Sequence, residues 1–131
     1  MKAAVLPGPG QPIETRDDVE LAPPGPGEAR VKVVASGVCH SDLSVQNGTI
    51  PLPTPIVLGH EGAGVVEEVG EGVSTVKPGD HVVLSFVPAC GECFMCSKGQ
   101  PYLCEKSAAQ AAGGLLDGTT RLTSDGAPLH Q

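Results

Sequence analysis

The stretch from Cys90 to Cys104 limits what this chain can fold into more than any other. It reads Cys-Gly-Glu-Cys-Phe-Met-Cys, then seven residues from Ser97 to Leu103, then Cys104, so four of the five cysteines fall in fifteen residues. Four thiolates on a short loop suit a closed tetrahedral zinc site, with Zn–S distances of about 2.3 Å. Gly91 and Gly99 relax the backbone where the chain must wrap an ion. Other fates for these thiols stay open. Two disulfides need an oxidising compartment, and Met1–Gly8 holds too short an apolar run for a signal peptide. An iron–sulfur cluster is the sharper rival, because bacterial ferredoxins open with three cysteines at this spacing. Their run closes after three further residues and continues with proline, whereas here the gap is seven and Glu105 follows.

Around that loop the composition describes a turn-rich domain. Eighteen glycines and thirteen prolines in 131 residues favour many short strands over a helical bundle. The only aromatics are Phe86, Phe94 and Tyr102, so valine, leucine and isoleucine must build the core. A formal charge of −7 with no basic stripe argues against a nucleic-acid partner. No apolar run approaches the ~18–20 residues of a membrane-spanning helix. Together these features predict a mainly β, acidic, cytoplasmic domain.

Individual strands are legible in places. Lys2–Leu6 reads as a strand, with Pro12–Glu20 as its partner. Glu28–Ala35 alternates, placing Ala29, Val31 and Val33 on one face and Arg30 and Lys32 on the other, and reads as a strand. Gly62–Gly70 is β-rich, but adjacent Glu67 and Glu68 predict a bulge or a strand edge. Lys77-Pro78-Gly79-Asp80 reads as a turn feeding a strand over His81–Val87. Ser107–Gly114 reads as a loop, and Asp117-Gly118 as the turn of a hairpin within Leu115–Leu122. Thr123–Gln131 has little to bury, which predicts a mobile tail or edge-to-edge association with another molecule.

A second constellation lies between these strands. Cys39 is the one cysteine outside the loop, and His60 follows twenty-one residues later. A thiolate and an imidazole on loops leaving strand ends can fill two places of a metal site with an open position. Ser41 is a fair N-cap for a short helix through Leu43–Gln46, and the helix start would favour the Cys39 thiolate. Asp42 is a candidate partner for the His60 imidazole. Spacing alone leaves an inert Cys39 and a surface His60 equally open, and His81 and His130 read as bland.

Taken together, Gly37-Val38-Cys39-His40-Ser41-Asp42, Gly59-His60-Glu61-Gly62-Ala63-Gly64, Gly79-Asp80-His81-Val82 and the four-cysteine loop resemble the zinc-dependent medium-chain alcohol dehydrogenases, in the family's order, over roughly residues 2–106. The resemblance implies a GroES-like, partly open β-barrel with short helices over 1–131, incomplete at its C-terminal end, and a projecting zinc lobe at 90–104. It implies structural zinc on Cys90, Cys93, Cys96 and Cys104, and catalytic zinc on Cys39 and His60 with Glu61 beside it as an outer or occasional direct ligand.

Further roles follow from the same resemblance. Ser41 matches the hydroxyl that accepts the alcohol proton, Asp42 the carboxylate behind the zinc-bound histidine, and His40 the position facing the cofactor pyrophosphate. Ser44 departs from members that carry a histidine there to pass the proton to solvent. The implied activity is oxidation of an alcohol to an aldehyde or ketone, with hydride passing to NAD or NADP. The family's third zinc ligand and its Rossmann domain have no counterpart among these residues, which carry no Gly-x-Gly-x-x-Gly after a strand. The chain is therefore expected to be part of a longer, homo-oligomeric enzyme and inactive alone. A stand-alone zinc-binding scaffold without catalysis is the alternative.

Overall fold

The computed structural model describes residues 1–131, except for the side chains of Gln110 and Ala111. Three three-stranded antiparallel sheets form its frame, and short helices are confined to their connections. In the first sheet β1 (Ala3–Leu6) lies between β2 (Glu14–Arg16) and β5 (Ile56–Val57). The expected partner strand is thus present but shorter than Pro12–Glu20. After Arg16 the chain leaves this sheet, and β3 (Val19–Leu21) joins another.

β1 organises the interior because its alternation sends neighbouring side chains to opposite sides. Val5 packs with Val19, Leu122 and Leu129, while Leu6 packs with Val45 and Ile56. The first cluster corrects the reading of the C-terminal residues. β8 (Leu122–Ser124) pairs with β3, and β9 (Ala127–Leu129) pairs with β8. Leu129 is only 2 % exposed, so this segment closes a core and is no loose tail. β9 ends this sheet, and just beyond it His130 bridges to Ile56 of the first sheet.

Asp-Gly does mark a hairpin, but at Asp125-Gly126, where both residues have positive φ. Asp117-Gly118 makes a tight loop closed by Leu115 N–H donating to Thr119 C=O at 2.8 Å. A short helix, α3 (Ala108–Ala111), replaces the loop expected over 107–114.

The third sheet holds β4 (Ala29–Ser36), β6 (Gly62–Val69) and β7 (His81–Val83). Its β7 is shorter than the strand predicted over 81–87. Pairing runs Arg30↔Glu68 and then Val31↔Val66, which leaves Glu67 as the extra residue of the expected bulge. A second irregularity sets Val34 outside the register between Val33 and Ala35. Alternation along β4 does not translate into burial here. Val33 is 55 % exposed and Val34 72 % exposed, and Val83, on the far side of β6, is 82 % exposed. The sheet therefore leaves apolar side chains uncovered, and the barrel is only partly closed.

Gly70 shows how tightly the end of β6 is held. Its N–H donates to Glu28 C=O at 2.8 Å, and a Cβ at this position would lie 1.9 Å from the Gly25 carbonyl oxygen. Gly70→Ala must push the Gly25–Glu28 turn outward, an overpacking cost of ~1–3 kcal/mol. Urea unfolding should show that loss as a lower midpoint; an unchanged midpoint would mean the turn moves freely.

Candidate metal centres

The two loops that carry Cys39 and His60 are set by the same interior residues. Helix α1 (His40–Gln46) docks through Val45 onto Leu6 and Ile56. From Ile56 the chain runs through Leu58, whose N–H donates to Ala4 C=O at 2.9 Å, to reach His60. Gly37 N–H donates to Glu61 C=O at 3.0 Å and joins the loops directly. Gly37 itself sits so close that a Cβ would fall 2.1 Å from Glu61 Oε2. Its role was not legible in sequence, although a glycine two residues before Cys39 hinted at a close approach.

The helix begins two residues earlier than the sequence suggested. Cys39, and not Ser41, is the N-cap, with Ser41 N–H donating to its sulfur at 3.5 Å. Asp42 completes the box, its Oδ2 accepting from Cys39 N–H at 2.9 Å. The other carboxylate oxygen, Oδ1, lies 3.3 Å from His60 Nδ1. Asp42 is buried, so one carboxylate fixes both the Cys39 backbone and the His60 ring. Accepting from Nδ1–H leaves Nε2 as the basic nitrogen of a neutral imidazole.

Cys39 Sγ, a His60 ring nitrogen and a Glu61 carboxylate oxygen all lie within 4.8 Å of one another. The Cys39 thiol is held below its ordinary value first by the Ser41 N–H, then by the Ser41 hydroxyl and His60. His60 is raised, chiefly by its hydrogen bond with Cys39 and also by the charge of Asp42. Ser41 Oγ lies 3.6 Å from Cys39 Sγ. His40 is exposed, and its Nδ1 lies 3.3 Å from Ser44 Oγ. The Phe86 ring meets His60 edge-on, with centroids 5.2 Å apart.

The four sulfurs of Cys90, Cys93, Cys96 and Cys104 also lie within 4.8 Å of one another, and all five cysteines are free thiols. Four bonds of about 2.3 Å in a tetrahedron would set sulfurs about 3.8 Å apart, so small side-chain movements close the cage. The loop runs through α2 (Phe94–Ser97) and a 3-10 turn (Pro101–Leu103). Gly91 and Gly99 take φ of 77° and 73°, the left-handed conformation these turns need. Within residues 90–104 only Cys104 is buried. A segment with so little apolar burial has no core to hold it, so its order depends on what the sulfurs bind.

Backbone amides already prepare these thiols. The N–H groups of Cys96 and then Glu105 lower Cys93 to about 6. Desolvation, followed by the neighbouring thiols, pushes Cys96 up to about 12. A metal must therefore displace a proton from Cys96 across the neutral range, so zinc affinity should rise with pH. Competition titrations with a zinc chelator at about pH 6 and about pH 8 check this. Equal affinity at both would contradict it.

A small β-barrel carrying a four-thiol lobe beside a cysteine–histidine–glutamate cluster defines a GroES-like, metal-binding domain. Residues 25–126 match the family described as alcohol dehydrogenase GroES-like domain, and the chain belongs to that family. It is 52% identical over 124 residues to the putative alcohol dehydrogenase D of Mycobacterium tuberculosis, covering 95% of this chain and 33% of that protein. Among solved structures, the alcohol dehydrogenase zinc-binding domain protein from Burkholderia ambifaria superposes with a TM-score of 0.90 at 44% identity, over 98% of this chain and 35% of that one. Benzyl alcohol dehydrogenase from Acinetobacter calcoaceticus gives a TM-score of 0.84 at 40% identity, over 92% and 33%. The chain thus spans about a third of the length of these relatives.

Proposed function

We propose that residues 1–131 contribute the catalytic domain of a zinc-dependent alcohol dehydrogenase, which oxidises an alcohol to an aldehyde or ketone while hydride passes to NAD or NADP. The observation that carries this reading is the convergence of Cys39, His60 and Glu61 donor atoms within 4.8 Å, backed by buried Asp42. Thiolate, imidazole and carboxylate are the donors zinc takes at catalytic sites. A zinc ion there supplies Lewis acidity, making a bound alcohol easier to deprotonate near neutral pH.

The chain's own residues supply the rest. Asp42, engaging His60 through Nδ1, would leave Nε2 for the metal. The Ser41 hydroxyl, beside Cys39, is placed to take the substrate proton. Ser44 offers only a hydroxyl where relatives of this type use histidine, so a water chain would carry the proton onward from Ser41. His40, exposed at the start of α1, would face the cofactor phosphates. Cys90, Cys93, Cys96 and Cys104 would hold a second, structural zinc. A nucleotide-binding domain and further barrel strands against the β4–β6–β7 sheet would come from the additional length that the relatives have. Free thiols accord with a cytoplasmic setting.

Alcohol-dependent reduction of NAD or NADP, measured on the protein carrying this domain together with a nucleotide-binding domain, tests the proposal. Cys39→Ser should abolish turnover while leaving the fold intact. Undiminished turnover in that variant would refute the proposed centre.

A further inference from the structure

Two stems join the four-cysteine lobe to the rest of the chain, and both reach the surroundings of His60. The entering stem leaves β7 where Leu84 N–H donates to Gly62 C=O at 2.8 Å, and from 85 to 93 it joins no strand or helix. It carries Phe86, whose ring meets His60 edge-on. That ring is 57 % exposed, so its place depends on the backbone that carries it more than on a surrounding core. The leaving stem runs on from Cys104 and carries Ser107. Phe86 and Val87 of the first stem, Ser107 of the second and Tyr102 of the lobe itself line one cavity together with His60 and Gln131.

The lobe sets the spacing of its stems. Cys90 N–H donates to Cys104 Sγ at 3.4 Å, and Lys106 pairs with Glu92 across the gap. An exposed ion pair of that kind is worth little alone. What the four sulfurs hold therefore decides how firmly the entering stem, and Phe86 with it, is fixed.

We infer that the two metal centres load in a fixed order, the lobe first, and that the filled lobe raises the metal affinity of the Cys39–His60–Glu61 cluster by fixing Phe86 against His60. The inference rests on the proposed centre at that cluster and concerns its assembly, not the reaction it performs. Four thiolates close the lobe site completely, whereas the cluster offers three donors and an open position, so the lobe takes the first ion. Ordering the lobe removes freedom from the stem in advance, and binding at His60 then has less left to order. Phe86 is thus a positioning residue, acting on the metal through the imidazole. Such coupling is typically about 5- to 150-fold and is reciprocal, so metal at the cluster tightens the lobe by the same factor.

NMR of the chain stripped of metal and then given an equimolar amount of zinc tests this. Filling the lobe should sharpen the His60 and Phe86 ring signals and bring cross-peaks between them. The same change should occur in Cys39→Ser, where it cannot come from metal at the second centre. Cobalt binding at the cluster, read by paramagnetic loss of the His60 ring signal, gives the coupling. Cys96→Ser should bind cobalt there about fivefold or more weakly than the zinc-filled parent. Phe86→Leu leaves all four lobe sulfurs in place, so it should hold lobe zinc as the parent does and yet lose the coupling. Adding Cys96→Ser to Phe86→Leu should then weaken cobalt no further. Rings unmoved by lobe zinc, or losses that add in the double variant, would overturn the inference. Cobalt that reaches His60 equally well in the parent and Cys96→Ser refutes the coupling and leaves the centre standing. Cobalt that never reaches His60 removes the centre and the coupling together.

Discussion

Cys96→Ser is expected to unfold residues 90–104 while the three sheets remain folded. The lobe buries only Cys104, and α2 and the 3-10 turn pack mainly on one another. Metal binding to a four-thiolate site contributes ~10–16 kcal/mol in small domains, far beyond anything the exposed Phe94, Tyr102 or Leu103 can supply. Serine keeps the size of the side chain but removes the soft ligand that zinc prefers. The check is limited proteolysis with and without zinc. Cleavage should concentrate between Cys90 and Cys104 in the variant and be suppressed by zinc only in the parent chain. Protease resistance unchanged by the substitution would show that the lobe is held by packing.

Asp42→Ala should cost the second centre most of its metal affinity. The buried carboxylate caps α1 through Cys39 N–H and orients His60 through Nδ1, so its loss acts on two ligands together. Removing such an outer partner typically lowers metal affinity 10- to 100-fold, and losing the cap costs a further ~0.5–2 kcal/mol of stability. Asp42→Asn tells the roles apart. An amide can still accept from the Cys39 amide, but it no longer supplies the negative charge that favours Nδ1–H on His60. Isothermal titration with cobalt after the lobe has been filled with zinc reads the effect, and equal affinity in parent and Asp42→Ala would remove Asp42 from the account.

What the sequence revealed depended on how local the determining interactions are. The lobe was legible because all its ligands fall within fifteen residues and Gly91 and Gly99 mark its turns. The Glu67 bulge was legible because two adjacent acidic side chains cannot both face inward. Burial along β4 was not, because period-two alternation shows which residues share a face but not whether anything covers it. Val33 and Val34 stay exposed here for want of a facing layer.

The C-terminal segment misled for a related reason. Leu122 and Leu129 look isolated in the sequence, yet their partners are Val5 and Val19, more than a hundred residues earlier. At the second centre, Cys39, His60 and Asp42 could be nominated from residue type, but their convergence needed Leu6, Ile56 and Val45 to align two separate loops. Tyr102 was legible only as one of three aromatics, since nothing local links a residue of the lobe to the cavity it lines together with His60.

The most direct test of the whole account is zinc-edge X-ray absorption on the purified chain, read together with its metal content. The account predicts tightly held zinc with a first shell of four sulfurs at about 2.3 Å, and nitrogen and oxygen appearing only as further zinc fills the Cys39–His60–Glu61 cluster. Iron in place of zinc, or lobe sulfurs bonded to one another with no metal between them, would contradict it.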